Sequence, residues 1–244
     1  MGVEQIIVVV LGALAGGIVM GLTGFGTGIT ALGIWLYAVS PPVAASLVVV
    51  CSVAAQLQTL PTIWHSVEAR RVLPFILPGL IGVPIGTLLL SYLDPRLLKI
   101  GVGLLLLVFP LQMLARRPGA ATAWGGRLAD GAIGFGGGVL GGLAGLSGPL
   151  PTMWATMRGW TKDESRSVFQ TFNLSILAAA LLAHALTGLL TAEVGRAVLA
   201  ALPGTIAGAW IGTRAYRRLS DRWFRDIILA LLCVSGALLI WTNL

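Results

Sequence analysis

The chain has 244 residues, 57% of them hydrophobic and 10% charged, with 33 glycines and a formal net charge of +7. A soluble domain carries about a quarter charged residues, so this composition excludes a water-dispersed globular core and makes lipid the implied solvent. The positive excess does not point to nucleic acid, because Lys and Arg stand in short clusters between apolar runs, where they act as topology signals and contacts for anionic lipid head groups.

In chain order, Glu4 is the one charge before the first glycine-rich run, and no Lys or Arg precedes the apolar segment Ile6–Leu14. A cleaved signal peptide would have a basic start, so this segment is expected to stay in the fold. The first apolar stretch, Ile6–Val39, is 34 residues long. As one helix it would measure roughly 50 Å against a hydrocarbon core of about 30 Å. Gly21-Leu22-Thr23-Gly24-Phe25-Gly26-Thr27-Gly28 interrupts it. Spans are expected next at Ala44–Trp64, Leu73–Tyr92 and Leu98–Leu114, separated by the charged breaks around Arg70 and Arg96. After Arg116-Arg117-Pro118 a second long stretch, Ala129 to Met157, carries a dense glycine cluster from Gly141 to Gly148. Three further spans are expected at Phe169–Leu190, Val198–Tyr216 and Ile227–Trp241. Cys51 and Cys233 lie in apolar runs without metal-ligand spacing and read as packed small side chains.

The two long stretches match each other. Gly16-Gly17-Ile18-Val19-Met20-Gly21-Leu22-Thr23-Gly24 superposes on Gly137-Gly138-Val139-Leu140-Gly141-Gly142-Leu143-Ala144-Gly145 at an offset of 121, which also sets Ser46 on Ser167 and Ser52 on Asn173. Further on, Gly82, Gly86, Thr87, Leu93, Arg96 and Lys99 fall on Gly208, Gly212, Thr213, Leu219, Arg222 and Arg225 at an offset of 126. The expectation is a duplication: a first transmembrane repeat over 1–115, a cytoplasmic linker over 116–128 and a second repeat over 129–244.

Charge bias then separates two topologies. If each long stretch crosses once, the 16 Lys and Arg divide ten to six between the faces; if each turns back at its glycines, they divide thirteen to three. The thirteen are Arg70, Arg71, Arg116, Arg117, Arg127, Arg158, Lys162, Arg166, Arg214, Arg217, Arg218, Arg222 and Arg225. The positive-inside rule favours turning back, with these residues cytoplasmic and both termini outside. The fold class expected is therefore an all-α polytopic membrane protein of two homologous halves, inverted repeats with broken or re-entrant helices and about eight membrane segments.

Backbone that leaves helical geometry inside a bilayer must be satisfied by protein, water or ligand. A helix starting after each break presents free N–H groups and a positive dipole end, which suits an anion. Ser147-Gly148-Pro149 reads as an N-cap region with proline in the first turn, and Thr23 or Thr27 could serve the first break in the same way. The candidate substrate-binding residues are Thr23, Gly24, Gly26, Thr27 and Gly28 at the first break, and Gly145, Ser147, Gly148 and Pro149 at the second. Ser52, Gln56, Gln170 and Asn173, polar residues within spans, complete the set. Gly12, Gly16, Gly82, Gly86, Gly208 and Gly212 read instead as helix-packing positions. His184, late in a span, is a candidate for proton coupling, although a packing role is at least as consistent with its place. Asp130 and Asp226 read as interfacial partners of Arg127 and Arg225. No phosphate-binding loop, zinc motif or paired intramembrane carboxylates occur, so no enzyme, metal or cofactor is indicated.

The duplicated runs at residues 16–26 and 137–149, together with the Pro78–Thr87 run and its counterpart Pro203-Gly204, Gly208 and Gly212-Thr213, resemble the signatures of the TauE/SafE family of sulfite and organosulfonate exporters. The resemblance covers nearly the whole chain. It implies a multi-pass bacterial inner-membrane protein, commonly described with about eight spans, that moves small sulfur-containing or related organic anions, usually outward. The partners expected are the small anion and membrane lipids, with a homo-oligomer left open and nucleic acid excluded. Two alternatives stand beside a secondary transporter: a channel-like anion conduit, and the membrane subunit of a multi-component permease.

Overall fold

The computed structural model describes residues 2–89, 100, 101, 103, 104, 106–108, 110, 111, 125–144 and 147–241. The regular elements among them are helices: α1 (Val3–Thr23), α2 (Thr27–Trp35), α3 (Pro41–Thr59), α4 (Ala69–Leu89), α5 (Gly126–Ala144), α6 (Pro149–Met157), α7 (Lys162–Leu186), α8 (Ala192–Arg218) and α9 (Asp221–Trp241). Two short 3-10 turns, Leu60–Thr62 and Trp64–Ser66, follow α3, and the described residues between 100 and 111 are helical. Among the described residues five stretches, Val3–Thr23, Pro42–Thr62, Ala69–Gly86, Lys162–Leu186 and Ala192–Arg218, are long and apolar enough to cross a membrane. The fold is all-α and polytopic. Most of the expected 116–128 linker and Gly145 lie outside the described residues.

Local chemistry sets where the helices begin. Ser40, in extended conformation, precedes Pro41 and Pro42, whose fixed φ suits the first turn of α3. Thr161 and Glu164 form a capping box at the start of α7: the Thr161 hydroxyl accepts from the Glu164 N–H at 3.3 Å, and the Glu164 carboxylate accepts from the Thr161 N–H at 3.0 Å. The helix therefore starts at Lys162, ahead of the apolar run from Phe169 that hydropathy alone detects. Thr191 caps α8 and Ser220 caps α9, each with its hydroxyl accepting a backbone N–H at 3.3 Å.

The chain forms two compact units, Met1–His65 with Asn173–Leu219, and Ser66–Phe172 with Ser220–Leu244. In the first, α1 and α8 approach so closely that their backbones touch. A Cβ on Gly17 would lie 2.5 Å from the Thr205 carbonyl oxygen, and Gly208 faces the Leu14 carbonyl and the Ile18 N–H. Val9, Ala13, Ala31, Trp35, Val43, Ala44, Leu47, Cys51, Val194, Ala197 and Ala201 make its apolar core. In the second unit α4 and α5 pack in the same manner. Gly138 faces the Gly79 backbone, and a Cβ on Gly82 would lie 2.5 Å from the Phe135 carbonyl oxygen and 2.8 Å from the Val139 nitrogen.

The two contact sets correspond residue for residue. The offset of 121 carries Leu14, Gly17 and Ile18 onto Phe135, Gly138 and Val139, and that of 126 carries Gly79 and Gly82 onto Thr205 and Gly208. Each unit thus joins the opening helix of one sequence half to a helix of the other. Small side chains permit this backbone contact in lipid, where helices gain nothing from hiding apolar surface. The six glycines read as packing positions all contact a neighbouring helix.

Candidate functional site

In the first unit α1 ends at Thr23 and the chain turns through Gly24 and Gly26, with φ of 85° and 97°. Side chains rarely adopt that left-handed region, so glycine is required at both positions. α2 then runs back along α1. Thr27 and Ala31 lie against Gly16, Trp35 lies against Gly12, and the Trp35 indole donates to the Val9 carbonyl at 2.9 Å. The return arm is nine residues, about 13 Å, or less than half of a bilayer core.

The two threonines of this turn differ. Thr23 spends its hydroxyl on the turn itself, lying 2.8 Å from the Val19 carbonyl to which it donates and 2.9 Å from that of Phe25. Thr27 occupies the first helical position of α2, where N–H groups have no intrahelical acceptor. Its side chain is 1% exposed and its methyl faces Gly16. The hydroxyl is buried without a hydrogen-bond partner among the described residues. A polar group in that state costs about 1–3 kcal/mol, so the position favours an incoming ligand atom. Gly28 lies against Val48 of α3, and Ser52 and Gln56, both buried, follow Val48 at one and two helical turns on the same face. Gly24 is buried and Gly26 and Gly28 are partly so.

The second unit repeats the plan with different residues. α5 ends at Ala144, Ser147 is 2% exposed, and α6 opens on Pro149. The cap is Gly148, in right-handed conformation and within the stretch Ser147-Gly148-Pro149 read from the sequence as the N-cap region. α6 runs back along α5: the Ser147 carbonyl faces Gly137, Leu150 lies against Gly136, and the Trp154 indole donates to the Asp130 carboxylate at 2.7 Å. Asp130 corresponds to Val9 at the offset of 121, so an indole ties each short helix to an equivalent place on its longer neighbour. Asp130 therefore serves Trp154, where the sequence reading gave it to Arg127. Arg225 and Asp226 do pair, at 3.2 Å. The Phe172 ring of α7 fills the space left by Gly79 and Gly137, which brings α7 beside the second turn.

Two features of α7 were not legible. Arg166, counted as a cytoplasmic loop cation, is 0% exposed inside the helix, and its Nε donates to Gln170 Oε1 at 2.7 Å. Gln170 is fully buried and Asn173 nearly so. The capping box is the sequence signal that would have drawn Arg166 into the helix. An arginine–aromatic cluster stands by the same helix start: Arg71 pairs with Glu164 at 2.8 Å and lies over Trp160, and Arg158 lies over both Trp154 and Trp160. In the first unit His184 Nδ1 is 3.4 Å from the Ser46 hydroxyl, a local contact between α7 and α3.

The family described as "Sulfite exporter TauE/SafE" matches this chain over residues 8–239. No curated protein and no solved structure matches it.

Proposed function

The chain belongs to the sulfite exporter TauE/SafE family, a family of transporters and not enzymes, and on that premise we propose that it is a secondary carrier of sulfite, a sulfonate or a related organic anion, working outward across the inner membrane. It is a multi-pass membrane protein that transports small anions. The observation that carries the finer reading is the first turn: a helix start whose opening residue, Thr27, holds a buried hydroxyl without a partner among the described residues. Free N–H groups and the positive end of α2 favour negative charge there, and the hydroxyl adds a donor. Thr23, Gly24 and Gly26 shape that turn, Gly28 lets the chain approach α3, and Ser52 and Gln56 offer further polar atoms. The second turn, at Ser147, Gly148 and Pro149, serves the anion in its own unit, with Gln170 on the adjoining helix, while Asn173 lies on the part of that helix that belongs to the first unit.

The recurrence of one set of glycine contacts in both units supports a duplicated chain. In this reading α2 and α6 are re-entrant, the repeats are inverted, and the clustered cations other than the buried Arg166 face the cytoplasm. A negative-inside potential drives an anion outward, so export needs no coupling ion.

Counterflow of radiolabelled sulfite into proteoliposomes tests this, with methanesulfonate, sulfoacetate and thiosulfate as competitors. Saturable exchange that a competitor suppresses and that Thr27→Val weakens is the expected outcome. Flux without saturation or counterflow would identify a conduit, and no flux for any anion in intact vesicles would remove the sulfur-anion reading.

A further inference from the structure

α8 turns a row of large apolar side chains outward: Leu199, Ile206 and Trp210 are each at least half exposed. With the shorter Pro203 and Ala207 between them and Gln58 of α3 beside them, they line a groove of about 600 Å³ within the first unit. Residues 199–210 cover about 16 Å of helix, roughly the depth of one leaflet of a bilayer core.

The groove is graded in polarity along that length. It is apolar at Leu199 and first polar at Gln58, whose Nε2 donates to the Ile206 carbonyl at 3.1 Å and whose Oε1 has no partner among the described residues. One turn beyond Ile206 comes Trp210, and one turn beyond that Arg214, whose guanidinium carbon lies 3.5 Å from the centre of the Trp210 ring. A guanidinium laid on a ring face keeps its N–H groups directed outward in its own plane. Arg214 pairs with no carboxylate among the described residues. Arg217 and Arg218, both exposed, follow in the last turn of α8. Tryptophan and the heads of long cations gather at the head-group level of a membrane, so the groove runs inward from the interface at Trp210 to the bilayer interior at Leu199.

We propose that this groove holds one acyl chain of an anionic phospholipid, whose phosphate rests on Arg214. The order of the site, an apolar hollow, then an amide, then a ring-backed cation, is the order of polarity along the lipid itself. A zwitterionic lipid fills the same hollow and gains less from the cations, because its own ammonium offsets the phosphate. A second copy of the chain suits the groove less well, since a twofold contact through this face sets Arg214, Arg217 and Arg218 against their own counterparts. The site is independent of which anion the protein carries.

The test is native mass spectrometry of the purified full-length protein, released from detergent with equal amounts of dioleoylphosphatidylglycerol and dioleoylphosphatidylcholine, for the wild type, Arg214→Gln, Ala207→Phe and Arg196→Gln. Arg214 and Ala207 are exposed, so neither change disturbs the core. The wild type is expected to retain phosphatidylglycerol in preference to phosphatidylcholine. Arg214→Gln should weaken phosphatidylglycerol about fivefold, the factor for one cation at an anionic head group, and leave phosphatidylcholine unchanged. Ala207→Phe, which fills the hollow, should weaken both lipids. Arg196→Gln, which removes an exposed cation near the opposite end of α8, should retain lipid as the wild type does. Equal retention of the two lipids by the wild type would overturn the proposal, as would wild-type retention by Arg214→Gln. An equal loss in Arg196→Gln would also overturn it, by marking attraction to net charge alone. A dimer that Ala207→Phe dissociates while lipid retention stays unchanged would overturn it too, and give the groove to a second copy.

Discussion

Thr23 and Thr27 are one helical turn apart in number and chemically identical, yet the structure gives their hydroxyls opposite surroundings. Thr23 is a brace, its hydroxyl held between the carbonyls of Val19 and Phe25. Thr23→Val should therefore lower stability by about 1 kcal/mol, seen in thermal unfolding, with little change in anion affinity. Thr27→Val should do the reverse: the fold keeps its stability, because a buried hydroxyl without a described partner is removed, while half-saturating anion in counterflow rises about fivefold or more. Sequence alone weighs the two equally, since which hydroxyl is consumed by the turn depends on the φ of Gly24 and Gly26. Asp130 is a similar case. Beside Arg127 it reads as half of a surface ion pair, but the turn of the chain brings the Trp154 indole to it. Asp130→Ala should cost about 1.5–3 kcal/mol in unfolding, the range for a hydrogen bond to a charged group, and Trp154→Phe a comparable amount.

At the scale of elements, the glycines were legible as close-packing positions because lipid offers helices little reason to associate except shape and polar contacts. Their partners were not. A small-residue stripe carries no address, so nothing in the run Gly12 to Gly21 says that α1 lies on α8, or that α5 lies on α4. The short return helices were equally half-visible: the turn-forming glycines stand out, but neither the nine-residue length of α2 and α6 nor the acceptors that Trp35 and Trp154 reach can be read from them. Side-chain space at these glycines sorts them. Gly138→Val places two methyl groups against the Gly79 backbone and should destabilise by roughly 1–3 kcal/mol, because neither helix can yield. Gly195→Ala, in α8 with open space at its Cβ position, should be neutral or stabilise by up to about 1 kcal/mol. Unfolding midpoints in one detergent compare the two directly.

At the scale of the whole molecule, the internal offset in the sequence was readable, whereas the pairing of helices far apart in the chain was not, because an offset between two runs carries no record of what each run touches. The compact units draw on both halves: α1 needs α8, and α4 needs α5. Fragments ending and starting within the 116–128 linker should each be degraded when expressed alone and recover when co-expressed, an outcome read by immunoblot of membranes and by counterflow. Fragments that persist singly at full-length levels would contradict that pairing.

That pairing also sets a timetable for synthesis. Gly17 is made well before the backbone near Thr205 that it packs against. At about 5–20 residues per second the opening helix waits on the order of ten seconds or more in the bilayer before its mate exists. During that interval its glycine face lies open to lipid, to the insertion machinery and to any other chain with a matching groove. A ribosome that stalls before α8 leaves α1 without its mate, so quality-control proteases that sense unpaired membrane helices would find this protein through α1.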